Sequence, residues 1–141
     1  MPSICLYWSV MSQPSRALKV FLLDSGIAHT ERHLDLQKQE HKSPEICAIN
    51  PAGTVPFITF DGECMVETVA VMRFLSEVCG GKAGKLYSTE AFKQYQIDKW
   101  CDFYTDSFRP AFLQHLAVFF EKGDGPCSEK HRLMFERSAE R

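Results

Sequence analysis

Ser12 is the first residue of this sequence whose side chain and position would allow it a chemical role. It follows the apolar run Ile4–Trp8 and precedes Gln13 and Pro14, which open a helix because proline fits the first helical turn. A hydroxyl at that point lies beside unsatisfied N–H groups and the positive end of the helix dipole, where an anion is stabilised. The same position also suits an ordinary N-cap serine with a purely structural role.

Thr54, Val55 and Pro56 form a second candidate group. Proline is tolerated at the start of a strand, where it gives up one backbone donor. If the Val55–Pro56 bond were cis, the N–H and C=O of Val55 could pair with an extended peptide. If it were trans, which is the ordinary state, Pro56 would only begin a strand.

Glu67 and Thr68 form the third group, at the start of a helix predicted over residues 67–78. A carboxylate in the first turn favours the helix dipole, and threonine caps helices. Together, a carboxylate and a hydroxyl could also hold the head group of an α-amino acid. A routine capping role and this binding role both fit the sequence.

Six cysteines stand at positions 5, 47, 64, 79, 101 and 127, without any C-x-x-C spacing. Zinc ribbons and two-cysteine redox motifs are therefore disfavoured, and we expect no metal site. We expect mostly buried, reduced thiols in a reducing compartment.

Strands and helices alternate in the part of the chain that holds these candidates. Strands are predicted at Ile4–Trp8, 29–34, 56–60 and 63–66, and Asp61 and Gly62 predict a hairpin turn between the last two. Helices are predicted over 12–25, 41–48 and 67–78, the first ending at Gly26. The apolar side of the last helix is predicted to comprise Ala70, Val71, Phe74, Leu75 and Val78. The order β-α-β-α-β-β-α predicts a small mixed sheet covered by helices.

The rest of the chain is predicted to be helical. A linker is expected at residues 81–89, followed by a long aromatic-rich helix over 89–121 that Pro110 should kink. Residues 122–127 are predicted as a loop, and Ser128 as the N-cap of a last helix. We therefore divide the chain into residues 1–80, the linker 81–89, and a partial all-helical domain over 90–141.

Composition narrows the functional classes. The chain has 141 residues, of which 45% are hydrophobic, and a net charge of −2. Such a chain is globular, and the absence of a basic excess argues against nucleic acid as a partner. No apolar run reaches the ~18 residues of a membrane-spanning helix, and no secretory signal opens the sequence. A cytoplasmic protein is the expectation.

In this order, the motifs resemble the N-terminal thioredoxin-like domain of cytosolic glutathione S-transferases, most closely the theta class. The resemblance rests on ICLYWSVMSQPSRAL at residues 4–18, on Glu40-His41-Lys42-Ser43, on Asn50-Pro51 with Val55-Pro56, and on Val66-Glu67-Thr68. The aromatic helix resembles the first helix of the family's all-α C-terminal domain, which is incomplete here. The resemblance thus implies an α/β thioredoxin-like domain followed by part of an all-α domain.

The resemblance also implies a role for each candidate residue. Ser12 matches the theta-class catalytic serine, whose hydroxyl stabilises the thiolate of glutathione, and Gln13 assists. His41 matches a residue that contacts the glycine carboxylate of glutathione, with Lys42 nearby. Val55, before Pro56, matches the residue whose backbone pairs with the cysteinyl unit. Glu67 and Thr68 match the pair that holds the γ-glutamyl head. In the helical part, Asp106 matches an acid that reaches toward the partner subunit's ligand, and Arg109 lies on the electrophile side.

Two positions leave the assignment open. Many relatives use a tyrosine late in the first strand, and Tyr7 occupies that place, so Tyr7 remains an alternative to Ser12. Thr54 stands where some theta-class members carry a basic residue, which would weaken the hold on the glycine carboxylate. The missing later helices also build most of the electrophile pocket and contribute to the dimer.

The resemblance implies a theta-like transferase that conjugates reduced glutathione to small hydrophobic electrophiles in detoxification, as a homodimer. The alternative is a non-catalytic interaction or dimerisation module, because the same fold serves both purposes. A glutathione-dependent thiol–disulfide enzyme is disfavoured, since Ser12 stands where that chemistry needs a cysteine.

Overall fold

The computed structural model describes residues 2–113 of the chain. The chain divides into two compact units, with the boundary after Ser88. This boundary falls within the segment predicted as a linker. The predicted loop at 122–127 and the predicted cap Ser128 lie outside the described residues.

Four strands form one mixed sheet in the first unit: β1 Ile4–Trp8, β2 Thr30–His33, β3 Phe57–Phe60 and β4 Glu63–Met65. Their order across the sheet is β2-β1-β3-β4. β1 and β2 are parallel, as the predicted helical crossover requires, and the other two pairings are antiparallel. The tight turn at Asp61 and Gly62 joins β3 to β4 as predicted.

Three helices accompany the sheet: α1 Gln13–Ser25, α2 Pro44–Ile49 and α3 Thr68–Cys79. The predicted order β-α-β-α-β-β-α is thereby confirmed. The predicted helix at 41–48 is divided into a 3-10 turn, Glu40–Lys42, and α2. This division arises because Ser43 caps a new helix, its Oγ accepting from the N–H of Ile46 at 3.4 Å.

Side chains of β1 alternate between the two faces of the sheet, as the strand period requires. Ile4 and Leu6 pack against α1 and α3, in a buried cluster that also contains Leu18, Leu22, Ile58, Val71 and Leu75. Tyr7 faces the other side and packs on a smaller buried cluster formed by Leu34, Ile46 and Phe57. The sheet is therefore covered on both faces.

The buried side of α3 is shifted around the helix from the one that the sequence predicted, and it includes Met72, Ser76 and Cys79. Val71 and Leu75 are buried and Phe74 is partly buried, whereas Val78 in the last turn is half exposed. Ala70 is exposed, because it lies about 140° around the helix from the buried Leu75.

The second unit is helical where it is described. α4 comprises Ala91–Asp102, and a π-helical turn, Phe103–Phe108, continues it to a helical stretch that the structure describes through residue 113. The π-turn ends just before Pro110, whose ring nitrogen carries no hydrogen for the helical ladder. The predicted helical segment therefore begins at Ala91 rather than Thr89, and its predicted part beyond residue 113 lies outside the described residues.

The predicted linker has structure of its own. It contains a 3-10 turn, Ala83–Lys85, in which Ala83 is buried. Among the helices that the structure describes, none is long and apolar enough to span a membrane.

Candidate functional site

Ser12 occupies the N-cap of α1, so the structural role that the sequence allowed is present. Its Oγ accepts a hydrogen bond from the backbone N–H of Ser15 at 3.4 Å. The same hydroxyl also donates to the backbone carbonyl of Val55 at 3.5 Å, across 43 positions of sequence. The structure therefore brings the first two predicted groups into contact.

The register of the sheet explains this contact. Tyr7 of β1 is paired with Phe57 of β3 in antiparallel fashion, so the residues just after β1 lie beside those just before β3. The Val55–Pro56 peptide bond is cis, which is the less common of the two states that the sequence left open. Pro56 is buried, and Val55 is half-buried against the smaller core cluster.

The topology places the third predicted group at the same edge of the sheet. β1 and β4 are both antiparallel to β3, so β1 and β4 run in the same direction. α1 follows the end of β1 and α3 follows the end of β4. Ser12 and the pair Glu67 and Thr68 therefore lie at one edge, where Val55 also enters β3.

Glu67 does not lie inside α3, in contrast to the prediction. The helix begins at Thr68, and Glu67 is its N-cap residue, with φ +67° and no hydrogen bond from its side chain to the helix. A non-glycine residue at such a φ is uncommon and is found preferentially at functional sites. The Glu67 side chain is exposed and does not perform the capping role that the sequence allowed.

His41 and Lys42 lie against the loop that leads to Val55. The Lys42 ammonium donates to the carbonyl of Ala52 at 3.2 Å. Gly53 has φ +53°, which favours glycine, and a Cβ there would also lie only 3.1 Å from the His41 carbonyl oxygen. Within the described residues, the buried Nδ1 of His41 has no hydrogen-bond partner.

Asn50 is a positioning residue that the sequence analysis treated only as part of a turn signal. It is buried, and its Nδ2 donates to the carbonyl of Thr54 at 3.0 Å while its Oδ1 accepts from the N–H of Ala52 at 3.2 Å. Thr54 itself is exposed. The buried Asn50 amide thus holds the loop that leads to Val55. Only its burial distinguishes Asn50 from an ordinary turn asparagine.

Tyr7, the alternative hydroxyl, packs on the smaller buried cluster, as Val55 does. Its ring stacks on Phe57 with a centroid distance of 4.3 Å. Burial raises the pKa of the Tyr7 phenol, and a side-chain hydrogen bond with Cys5 raises it further. The contact with the Val55 carbonyl is made by Ser12 and not by Tyr7.

The remaining predicted site residues are Gln13, Asp106 and Arg109. Gln13 is the first residue of α1 and is half-buried. In the second unit, Asp106 is exposed in the π-helical turn and Arg109 follows that turn. The roles assigned to Asp106 and Arg109 by resemblance stay predictions.

The cysteines differ from the expectation in burial. Cys5, Cys47, Cys64 and Cys79 carry free thiols and are half-buried rather than buried. Burial raises the pKa of the Cys64 and Cys79 thiols, which makes them poorer nucleophiles near neutral pH. Cys127 lies outside the described residues. In the region the structure describes, no three His, Cys, Asp or Glu side chains cluster as metal ligands.

Comparison with known proteins matches residues 12–78 to the family model "Glutathione S-transferase, N-terminal domain". Glutathione S-transferase F9 of Arabidopsis thaliana is 33% identical over 128 residues, a match that covers 89% of this chain and 59% of that protein. Glutathione S-transferase T1 of the same plant is 32% identical, with 77% of this chain and 44% of that protein covered. This chain therefore spans about half of the length of these curated relatives.

Solved structures show the same fold. A delta-class glutathione transferase of Nilaparvata lugens superposes with a TM-score of 0.85 at 23% identity, over 96% of this chain and 62% of that one. Human glutathione transferase theta-2, solved in complex with glutathione and an unknown ligand, superposes with a TM-score of 0.83 at 22% identity, over 98% and 59% of the two chains.

Proposed function

We propose, since this chain belongs to the glutathione S-transferase family, that it binds reduced glutathione at the sheet edge around Ser12 and transfers it to small hydrophobic electrophiles. The observation that carries the proposal is the 3.5 Å contact between the Ser12 hydroxyl and the Val55 carbonyl. It puts a hydroxyl donor beside the backbone that would pair with the cysteinyl unit of glutathione. A theta-like transferase, with serine as the catalytic residue, is the form we propose.

The chemistry requires only a stabilised thiolate. A free thiol with a pKa of ~8.5 is a few per cent ionised at pH 7. A hydrogen bond to a charged acceptor contributes about 1.5–3 kcal/mol, which equals a fall in pKa of about one to two units at 1.36 kcal/mol per unit. Donation from Ser12, together with the N-terminal dipole of α1, therefore makes the thiolate a large fraction of bound glutathione.

In the reaction, the thiolate sulfur attacks the electrophilic carbon and forms a C–S bond. With an alkyl halide, the carbon–halogen bond breaks and halide leaves with the electron pair; with an epoxide, the ring oxygen takes the electron pair and then a proton from solvent. The thiol proton leaves to solvent when the thiolate forms. No protein cysteine takes part, and the half-buried thiols with raised pKa are consistent with this.

The ends of glutathione would be held by the remaining residues. His41 and Lys42 would bind the glycine carboxylate, with Thr54 beside them, and Gln13 would assist Ser12. The unpartnered Nδ1 of His41 and the Lys42 ammonium support this assignment. Lys42 partly compensates for the threonine at position 54.

The other contacts follow the family pattern. Glu67 and Thr68 would bind the γ-glutamyl head group, and the exposed Glu67 carboxylate supports this role. Asp106 would reach the ligand of a partner subunit in a homodimer, and Arg109 would face the electrophile. We propose a cytoplasmic role in detoxification that uses no metal.

The deciding experiment combines glutathione binding with one substitution. Immobilised glutathione should retain the folded chain, and Ser12→Ala should lower conjugation of a model alkyl halide at least tenfold, because the thiolate loses its donor. Ser15→Ala is the matched control: it removes a nearby buried hydroxyl but keeps the backbone N–H that binds Ser12. Equal rates in wild type and Ser12→Ala would reject the serine, and failure to bind glutathione would favour the interaction module.

A further inference from the structure

The loop of residues 9–11 connects β1 to α1 and leads directly to Ser12. The side chains of Val10 and Met11 are 52% and 65% exposed, so hydrophobic packing holds neither in place. The Ser12 N–H donates to the Ser9 carbonyl at 3.1 Å and closes the turn. The position of Val10, in the middle of that turn, therefore depends on polar contacts to its backbone.

Two side chains from different elements make those contacts. The Arg16 guanidinium donates from Nη1 to the Val10 carbonyl at 2.5 Å. The Val10 N–H donates to Nε2 of His33 at 3.4 Å. Both polar backbone groups of Val10 are thus bound by side chains, one from the first turns of α1 and one from the end of β2.

Each side chain is itself fixed near Ser12. His33 lies opposite Trp8 in the parallel pairing of β1 and β2, and its ring meets the edge of the Trp8 ring at 5.2 Å. The backbone N–H of Arg16 donates to the Ser12 carbonyl at 3.1 Å. Arg16 therefore binds the chain on both sides of Met11, through its backbone at Ser12 and through its side chain at Val10.

We propose that Arg16 and His33 are positioning residues that hold the Val10 backbone and thereby set the direction of the Ser12 hydroxyl. This inference rests on the proposed function of Ser12. Neither residue needs to touch glutathione; each acts through the turn. We call Arg16, His33 and the Val10 backbone the Val10 clamp.

The clamp requires a particular state of His33. Nε2 can accept the Val10 N–H only when it carries a lone pair, so the ring must be neutral with its proton on Nδ1. An ion pair between α1 and β2 lies beside the Trp8 ring that His33 meets. The Lys19 ammonium lies 3.8 Å from the centroid of the Trp8 ring, and Lys19 is paired with Glu31 at 2.7 Å. A doubly protonated His33 would donate from both nitrogens and release Val10.

The first experiment tests the clamp in the free 141-residue chain. Hydrogen exchange followed by two-dimensional amide NMR should show the Val10 N–H protected in wild type, because it donates to Nε2 of His33. His33→Phe keeps a flat ring against Trp8 but has no acceptor, and should make the Val10 N–H exchange several-fold faster. A Val10 N–H that exchanges at the same rate in both proteins would overturn the proposal.

The second experiment measures the thiol of bound glutathione. In His33→Phe and in Arg16→Ala, we expect the pKa of the bound thiol, followed by thiolate absorbance, to rise by about half to one unit. We expect kcat to fall about three- to tenfold, the effect of one weakened hydrogen bond, with KM for glutathione changed less than about twofold. His33→Gln, whose amide oxygen can take the Val10 N–H, should restore most of the rate.

Arg32→Ala is the matched control for Arg16→Ala, because it removes an arginine of β2 whose partner is Glu45 on the surface. It should leave the thiol pKa unchanged. If Ser12→Ala raises the thiol pKa but His33→Phe and Arg16→Ala leave it as unchanged as Arg32→Ala does, the inference fails and the proposed function stands. If Ser12→Ala has no effect either, both fail.

Discussion

At the scale of single residues, Ser12 combines a structural and a proposed catalytic role in one hydroxyl. As an N-cap it accepts from the Ser15 N–H, a contribution of about 1 kcal/mol to stability. Its proton points to the Val55 carbonyl over a long 3.5 Å contact, which is weak and readily redirected. In the proposed complex the sulfur of glutathione receives that proton, while the capping contact remains.

Tyr7→Phe tests the alternative hydroxyl. We expect conjugation rates within about twofold of wild type, because the Ser12 hydroxyl makes the contact with the Val55 carbonyl, whereas the Tyr7 ring stacks on Phe57. The ring stacking remains in the variant, so folding should be preserved. Steady-state rates with a model electrophile give the answer, and a tenfold loss in Tyr7→Phe with no loss in Ser12→Ala would transfer the catalytic role to Tyr7.

At the scale of elements, the candidate site depends on how α1 and the strands are joined. β2 is an edge strand, and all four of its residues are exposed. It is tied to α1 by the ion pair between Lys19 and Glu31 at 2.7 Å and to α2 by the pair between Arg32 and Glu45. Charged side chains along such an edge also discourage pairing with a second sheet.

Glu31→Gln tests the link between α1 and β2 through its pH dependence. The hydrogen bond from Lys19 lowers the pKa of Glu31 below its ordinary value of 4.5. The stabilisation is therefore fully present above pH 4.5 and is lost as the pH falls through the folded pKa. Denaturant unfolding should show Glu31→Gln less stable than wild type at pH 6, with the difference shrinking as the pH is lowered below 4.5.

Glu77→Gln provides the comparison, because it neutralises an exposed carboxylate on α3 without disturbing Lys19. We expect it to change the pH profile of unfolding much less than Glu31→Gln. A stability difference for Glu31→Gln that persists unchanged down to pH 3 would show that packing, rather than charge, is responsible.

At the scale of the whole molecule, the described residues fall into two units with different characters. The first contains the sheet, both buried clusters and nearly all of the proposed glutathione contacts. The second has large exposed side chains along α4, Phe92, Tyr95 and Trp100 among them. The proposal therefore assigns glutathione binding to the first unit and the electrophile to the second.

A fragment of residues 1–88 tests this division. We expect it to unfold cooperatively and to bind immobilised glutathione, because its core and its proposed ligand contacts are internal to the unit. Conjugation should be lost or much reduced, since Asp106 and Arg109 are absent. Circular dichroism during heating and retention on the glutathione matrix are the measurements. A fragment that lacks a cooperative transition would contradict the division after Ser88.

The sequence alone predicted the elements because their signals are local. Pro14 and Gly26 delimit α1, a short apolar run rich in β-forming residues marks β1, and Asp61 with Gly62 marks the hairpin. Ser12 was recognisable for the same reason, since its position before Pro14 defines a helix start. The family resemblance assigned glutathione to the site, which no spacing of these residues could have done.

Only the tertiary structure decided which residues meet. The contact of Ser12 with Val55 depends on the antiparallel register of β1 and β3, and the role of Asn50 depends on burial, neither of which is visible in local sequence. The same holds for the orientation of Tyr7, the φ of Glu67 and the binding of Val10 by Arg16 and His33. Local sequence fixes backbone propensities, whereas long-range contacts follow from how the sheet and helices bury their apolar faces together.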